Sequence, residues 1–387
     1  MMDLKTFTYF CPTQVYSGIG AHQKLPEIIS KLEAKYLLFL SDKGVAATEI
    51  FASVSNILKE NKITFDVFTD IDPDPKDKNV EEAFRLYKAK QPPVLLALGG
   101  GSTMDVGKAI GILATNGGRI HDYTGVDKFS NPPLPLIAIP TTAGTGSEVS
   151  HSCVITDTKR SLKMSVHSVS LNRAKVAILD PLALRSLPAT VAAHAGMDAF
   201  VHALESYVAL AANPITEAVT LHAMELIAKN IRPFVSNRNN LDAGLQMLYG
   251  ANLAAMGFSN TGVGNIHCMA RFVGAYFHIS HGLSNAICLP YGAEFNVIAN
   301  PEKYARVALT MGEDIEGLTP TEAGRKAIEA MKQLNRDVGI PERLREIGLT
   351  EDKIPELAQL CVEADYNRWN PRHTTYEDFV ELWKKAY

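Results

Sequence analysis

The run Leu95-Leu96-Ala97-Leu98-Gly99-Gly100-Gly101-Ser102-Thr103-Met104-Asp105 decides how the chain is read. A short apolar stretch enters three glycines and then a helix start. An apolar run bounded in this way suits a strand buried on both faces. Glycines there permit positive φ and let a phosphate come close to the backbone. Ser102 suits a helix N-cap, and the free N–H groups of the first turn suit an anion. Taken alone, the triplet also reads as nothing more than a tight turn.

Working outward, similar runs occur at residues 35–40, 64–68, 93–98, 134–139 and 176–179, with helical stretches near 49–61 and from 102 onward. Alternation of this kind predicts a parallel sheet covered by helices. Asp180-Pro181 closes the last strand. From Pro188 the texture changes to long helical patterns broken by Asn-Pro, Arg-Pro and Gly, with no strand pattern. The expectation is a Rossmann-like α/β domain over 1–183, followed by an all-helical domain over 184–387. No internal repeat, low-complexity linker or disordered tail is evident.

A second glycine- and hydroxyl-rich loop follows another strand: Pro140-Thr141-Thr142-Ala143-Gly144-Thr145-Gly146-Ser147-Glu148. Two such loops at the carboxyl ends of strands in one sheet are where open α/β sheets bind ligands. The GxGxxG fingerprint is absent, because Gly18-Ile19-Gly20, Gly99-Gly100-Gly101 and Gly262-Val263-Gly264 each lack the third glycine. No tyrosine is followed four residues later by lysine, and no cysteine pairs mark a structural zinc lobe. Asp42 ends the strand Leu37–Ser41. It reads either as acceptor for both ribose hydroxyls, favouring NAD over NADP, or as a turn-forming Asp. The neighbouring Lys43 weakens its repulsion of a 2′-phosphate.

Composition narrows the classes. The 387 residues are 46% hydrophobic and 21% charged, with 38 basic and 42 acidic side chains, a net charge of −4. That leaves no positive excess for nucleic acid. The amino terminus MMDLKTFTYF lacks a signal pattern, and no apolar stretch approaches a membrane span. Cys11, Cys153, Cys268, Cys288 and Cys361 are odd in number and scattered, as in a reducing compartment. A cytoplasmic protein is expected.

In Ala195–Glu205, Asp198 and His202 are spaced i,i+4 and so share one helix face, where they can be two ligands of one ion or a surface pair. His267 and His281 are fourteen residues apart, about 21 Å along an unbroken helix. They could join the same ion only if the chain turns near Phe277-His278-Ile279-Ser280. A carboxylate with three imidazoles suits Fe²⁺ or Zn²⁺ better than Mg²⁺ or Ca²⁺.

Together these motifs resemble the iron-containing (group III) alcohol dehydrogenases, over nearly the whole chain. The resemblance rests on Gly99-Gly100-Gly101-Ser102 with Asp105, Pro140–Glu148, Gly196–Glu205, the paired His267 and His281, and Asn370-Pro371-Arg372. It implies the dehydroquinate synthase-like fold, NAD(H), one divalent metal (Fe²⁺ or Zn²⁺), and a homodimer or larger homo-oligomer. By motif match it implies Asp198, His202, His267 and His281 as metal ligands. It also implies Asp42, Gly99, Gly100, Ser102, Asp105, Thr141, Thr142, Thr145 and Lys163 as cofactor contacts. A Lewis acid beside a nicotinamide would polarise an aldehyde and lower the pKa of an alcohol, so no separate base is needed. Glu205, three residues after His202, either orients an imidazole or pairs with a basic neighbour.

One departure stands out. Many relatives carry a second histidine four residues after His267, and this chain has Arg271. A guanidinium cannot relay a proton. Beside a metal ion it calls for an anion, either a substrate carboxylate or sulfonate or a protein carboxylate such as Asp365 or Glu294. The expected substrate is a small anionic aldehyde such as sulfoacetaldehyde, with Arg271 and His281 at the reacting end. Phe258 and Phe272 read as pocket wall or as core. His278 faces substrate or solvent, and His151, Ser152 and Cys153 border the nicotinamide. Tyr366 stands where relatives often have cysteine. The other readings are a reductase of neutral short aldehydes, a glycerol dehydrogenase- or dehydroquinate synthase-like enzyme, and a catalytically silent binding protein.

Overall fold

The computed structural model describes residues 6–387 apart from 161, 278 and 365. His278 and Asp365 therefore lie outside the described residues. The chain forms two compact units, Phe10–Leu187 and Pro188–Tyr387, the latter including residues 6–9.

In the first unit the strands are β1 (Gln14–Ser17), β2 (Tyr36–Leu40), β3 (Thr64–Phe68), β4 (Val94–Gly99), β5 (Gly125–Val126), β6 (Leu136–Pro140), β7 (Ser152–Asp157), β8 (Leu162–His167) and β9 (Val176–Leu179). Six of them form one sheet in the order β1-β9-β6-β4-β2-β3, with every pairing parallel. The helices of this unit are α1 (Leu25–Lys31), α2 (Lys43–Ala46), α3 (Glu49–Glu60), α4 (Asp77–Lys90) and α5 (Gly101–Asn116).

The uniform apolarity of the inner strands β2, β4, β6 and β9 follows from burial on both faces. Leu38, Leu40, Leu95, Ala97 and Ala138 point to one core, shared with α4 and α5. Leu37, Phe39, Leu96, Leu98, Ile137 and Ile139 point to the other, shared with α1 and α3. Alternate residues thus reach opposite cores, as the two-residue period requires. From β2 the chain steps outward to β3 and then inward to β4. The direction of winding therefore reverses at β2 and β4, and the loops after these strands open at a switch point.

The sequence reading did not anticipate the small sheet β5-β8-β7. β7 and β8 pair antiparallel, with Cys153, Ile155, Met164 and Val166 facing inward. Their outward positions are largely polar, so the apolar signal is halved and the segment looks like loop.

The second unit is helical: α6 (Ala189–Val208), α7 (Pro214–Ser236), α8 (Leu241–Thr261), α9 (Asn265–Phe277), α10 (His281–Asn296), α11 (Pro301–Thr310), α12 (Pro320–Asp337), α13 (Ile354–Glu363) and α14 (Tyr376–Ala386). Every residue of α6 from Gly196 to Val208 is buried. A helix enclosed on all sides is a central helix, and its polar side chains must find partners inside the protein. No described helix is long and apolar enough to cross a membrane.

Asn213 sets the start of α7. Its side chain accepts from Ile215 N and Thr216 N, both at 3.2 Å, and Pro214 occupies the first helical position. Asn213→Ala is expected to lower the unfolding free energy by about 1 kcal/mol in urea titrations. An unchanged midpoint would show that the cap is dispensable.

Candidate active site

The loops after β2, β4 and β6 carry most of the residues expected at the cofactor, with Asp105 on α5 and Lys163 on β8. Thr141 N donates to Gly99 O at 3.0 Å, tying the β6 loop to the β4 loop. The glycine triplet does its work by close approach, since none of Gly99, Gly100 and Gly101 has positive φ. A Cβ on Gly99 would lie 2.3 Å from Thr103 Oγ1. Ser102 is not the N-cap. The helix begins one residue earlier, with Gly100 as cap, and the Ser102 hydroxyl bonds to Pro73 O. Gly100 leaves ordinary van der Waals room beside Thr142.

Asp42 does cap α2, accepting from Val45 N at 2.9 Å through Oδ1. Lys163 pairs with Asp74 at 2.8 Å, and Thr145 Oγ1 accepts from Ser147 N at 3.3 Å. Asp105 receives the Ser147 hydroxyl at 2.8 Å and Val154 N at 2.9 Å, so its carboxylate anchors the loop after β6. Sequence reasoning missed its companion, Lys108. This buried ammonium donates to Ser147 Oγ, Ser150 O and Oγ, and Ser152 O at 2.8 to 3.2 Å. Burial pushes its pKa down, and the Asp105 charge opposes that shift. The signal available was Asp105-x-x-Lys108, two opposite charges on one face of an otherwise apolar helix. Burial likewise drives the His151 imidazole down to about 3, helped by Arg173, so it is neutral near pH 7.

The expected metal ligands lie in the helical unit. Asp198, His267 and His281 offer ligand atoms that all lie within 4.8 Å of one another. Asp198 Oδ1 is 3.8 Å from His267 Nε2 and 3.9 Å from His281 Nε2. His202 stands beside this group, with Nδ1 3.8 Å from Asp198 Oδ2. Its ring packs against His267 and Phe258, with centroids 4.4 Å apart in each case. The required turn is present, because α9 ends at Phe277 and α10 begins at His281. Gly282 lets α10 press on α6, since a Cβ there would sit 2.3 Å from His194 O.

Glu205 resolves in favour of the imidazole. Its Oε2 accepts from His267 Nδ1 at 2.5 Å, and its Oε1 accepts from Ile266 N at 2.7 Å. One carboxylate thus caps α9 and puts the His267 proton on Nδ1, leaving the Nε2 lone pair facing Asp198. On the other side Asn285 Nδ2 donates to Asp198 Oδ1 at 2.7 Å and lies 3.2 Å from His281 Nε2. The motif residue Asn370 supports the same helix start, its Oδ1 accepting from Asn265 N and Asn296 Nδ2.

Burial would raise the Asp198 carboxyl, but His202, His281 and His267 together hold it below the usual range. Burial pushes His202 down to about 3 despite Asp198. His202 Nδ1 and His267 Nε2 are buried without a hydrogen-bond partner. Unpartnered buried imidazole nitrogens beside a carboxylate fit a borderline divalent cation.

Arg271 lies one turn beyond His267 on α9, beside Tyr366. Burial raises the Tyr366 phenol, and Arg271 pulls it back. Glu294, one of the two carboxylates considered for Arg271, pairs instead with Lys385 at 3.3 Å.

Glycine-rich loops at strand ends in one unit and a candidate Asp-His-His metal group in the other are features expected of a metal-dependent oxidoreductase. Residues 12–181 match the family model described as iron-containing alcohol dehydrogenase, and residues 192–387 match its C-terminal counterpart. The chain is 37% identical over 388 residues to the 1,3-propanediol dehydrogenase of Klebsiella pneumoniae, covering 100% of both. It is 35% identical over 380 residues to the sulfoacetaldehyde reductase of Bilophila wadsworthia, covering 97% of this chain and 98% of that one. The solved structure of a 1,3-propanediol oxidoreductase superposes with a TM-score of 0.96 at 37% identity, over 99% of this chain and 100% of the other. The chain belongs to the iron-containing, group III, NAD-dependent alcohol dehydrogenase family. That membership sets aside the non-enzymatic reading.

Glu205→Gln keeps the shape and removes the charge behind His267. It is expected to weaken binding of Fe²⁺ or Zn²⁺ about 10- to 100-fold, measured by competition with a chelator. Unaltered affinity would deny Glu205 this role.

Proposed function

We propose that this protein is an NADH-dependent, divalent-metal-dependent reductase of small anionic aldehydes, sulfoacetaldehyde and short semialdehyde acids being the substrate class. When bound, the divalent ion supplies Lewis-acid polarisation of the carbonyl, and the nicotinamide supplies hydride. Asp198, His202, His267 and His281 would hold the ion. Glu205 and Asn285 orient two of these ligands. Asp42, Gly99, Gly100, Ser102, Thr141, Thr142, Thr145 and Lys163 would receive the dinucleotide. Asp105 and Lys108 keep the loop after β6 in shape. Asp42 at the end of β2 supports NADH over NADPH.

Arg271 is the observation that carries the substrate class. Among the described residues the Tyr366 phenol stands beside it, and Glu294 is taken by Lys385. A guanidinium one turn from a metal ligand recruits an anion and fixes it by charge-assisted hydrogen bonds. Phe258, stacked on His202, supplies apolar wall. His281, whose side chain is 44% exposed, is the ligand that faces outward. Ser152 and His278 complete the proposed substrate contacts. The similarity to a sulfoacetaldehyde reductase is consistent with this class. A homodimer or larger homo-oligomer in the cytoplasm is part of the same reading, and the five free cysteines agree with a reducing compartment.

Arg271→Ala is expected to lower kcat/KM for sulfoacetaldehyde about 10- to 100-fold, the worth of a hydrogen bond to a charged group. Activity on a neutral aldehyde of equal length should change little. Equal losses on the two would discard the anionic class in favour of neutral short aldehydes.

A further inference from the structure

We propose that Asp77, His121 and Asp157, in the α/β unit, form a second divalent-cation site with a structural role. The three come from separate segments: the first residue of α4, a single helical turn at Ile120–Tyr123, and the end of β7. Their ligand atoms all lie within 4.8 Å of one another. His121 Nε2 stands 3.2 Å from Asp77 Oδ2 and 3.7 Å from Asp157 Oδ2. Ligands held at about 2.0 to 2.2 Å in a tetrahedral site are about 3.3 to 3.6 Å apart, so these separations bracket that geometry.

Burial and charge point the same way. The Asp77 and Asp157 side chains are only 7% and 4% exposed, and that of His121 is 19% exposed. Each carboxylate is held by backbone N–H groups through its Oδ1: Asp77 by Lys78 N at 2.9 Å, Asp157 by Lys159 N at 2.9 Å and Arg160 N at 3.1 Å. The Oδ2 atoms are thereby turned toward the imidazole, with Thr158 N 3.4 Å from that of Asp77. Two buried carboxylates this close repel unless a cation lies between them. Among the described residues Arg160 is the guanidinium paired with these carboxylates, with its Nε 3.7 Å from Asp157 Oδ2, and it is three-quarters exposed.

An imidazolium could supply the charge, but the geometry is poor for it. His121 Nε2 is buried and makes no hydrogen bond with acceptable angles, although a carboxylate lies 3.2 Å away. A nitrogen that sits among acceptors without pointing a proton at any of them is placed as a ligand. A divalent ion would balance both carboxylates and take the imidazole as its third protein donor. Carboxylate and imidazole together select Zn²⁺, Fe²⁺ or Mn²⁺. Nδ1 would then carry the ring proton, and the exposed Arg119, 3.4 Å from it, would swing into solvent.

Such an ion would clamp the start of α4 to the β7–β8 hairpin. Their backbones already touch there, with Thr156 N donating to Pro75 O at 2.7 Å. The site is independent of the dehydrogenase metal group, so the two can fail separately.

The test is zinc stoichiometry after incubation with ZnCl₂ and desalting, read by elemental analysis. Wild type is expected to hold two ions per chain. Asp198→Ala and His121→Gln should each hold one, and the double variant none. Zinc should also raise the Tm of Asp198→Ala and leave that of the double variant unchanged. Asp77→Asn serves as a second variant should His121→Gln not fold. If Asp198→Ala binds no zinc, or His121→Gln and Asp77→Asn hold as much as wild type, the cluster is a buried ion pair and the proposal is overturned.

Discussion

The hydrogen bond from His267 Nδ1 to Glu205, 2.5 Å long in the centre of the helical unit, is the constraint from which the site follows. Glu205 sits on α6, a helix with no solvent-facing side over its C-terminal thirteen residues. A carboxylate there is costly unless its oxygens are occupied. It meets that requirement by capping α9 and fixing the tautomer of His267 at once. The same burial that makes α6 hydrophobic on nearly every face forces Asp198 and His202, two turns and one turn earlier, to seek partners among themselves. A buried Asp, two buried imidazoles and a histidine at the start of α10 are the consequence.

The α/β unit uses the same device for a different ligand class. Asp105 and Lys108 on α5 form a buried pair whose hydrogen bonds run to Ser147, Ser150, Ser152 and Val154 rather than to one another. A loop rich in glycine and threonine would otherwise be mobile. Here it is held by charge-assisted bonds at several points, and Thr141 and Thr142 remain beside the glycine turn of β4. In both units an ionised side chain on a buried helix organises a loop or helix end that carries binding groups.

Much of this was legible in the residues themselves. The strands β4 and β9 stand where expected, because burial on both faces leaves an uninterrupted apolar run. The i,i+4 pair Asp198 and His202 was legible because helix period alone places it on one face. The hairpin β7–β8 was not, since its outward half is polar. Ser102 was misjudged as a cap because the helix starts at Gly101, which moves Ser102 inside the first turn. Lys108 and Asn285 were missed because their partners lie 39 to 87 residues away, a distance no local pattern reports. His267 and His281 could be paired only through the family resemblance. The physical cause of their meeting is a close helix contact at Gly282.

The central claim is that Asp198, His202, His267 and His281 hold one divalent ion, with Glu205 and Asn285 orienting two of its ligands. Anomalous diffraction at the metal edge, from crystals of protein loaded with Fe²⁺ or Zn²⁺, tests it most directly. The account predicts a peak about 2.0 to 2.2 Å from Asp198 and the imidazole nitrogens, including His202, with Glu205 still on His267 Nδ1. Metal-loaded crystals with no peak among these side chains would contradict it.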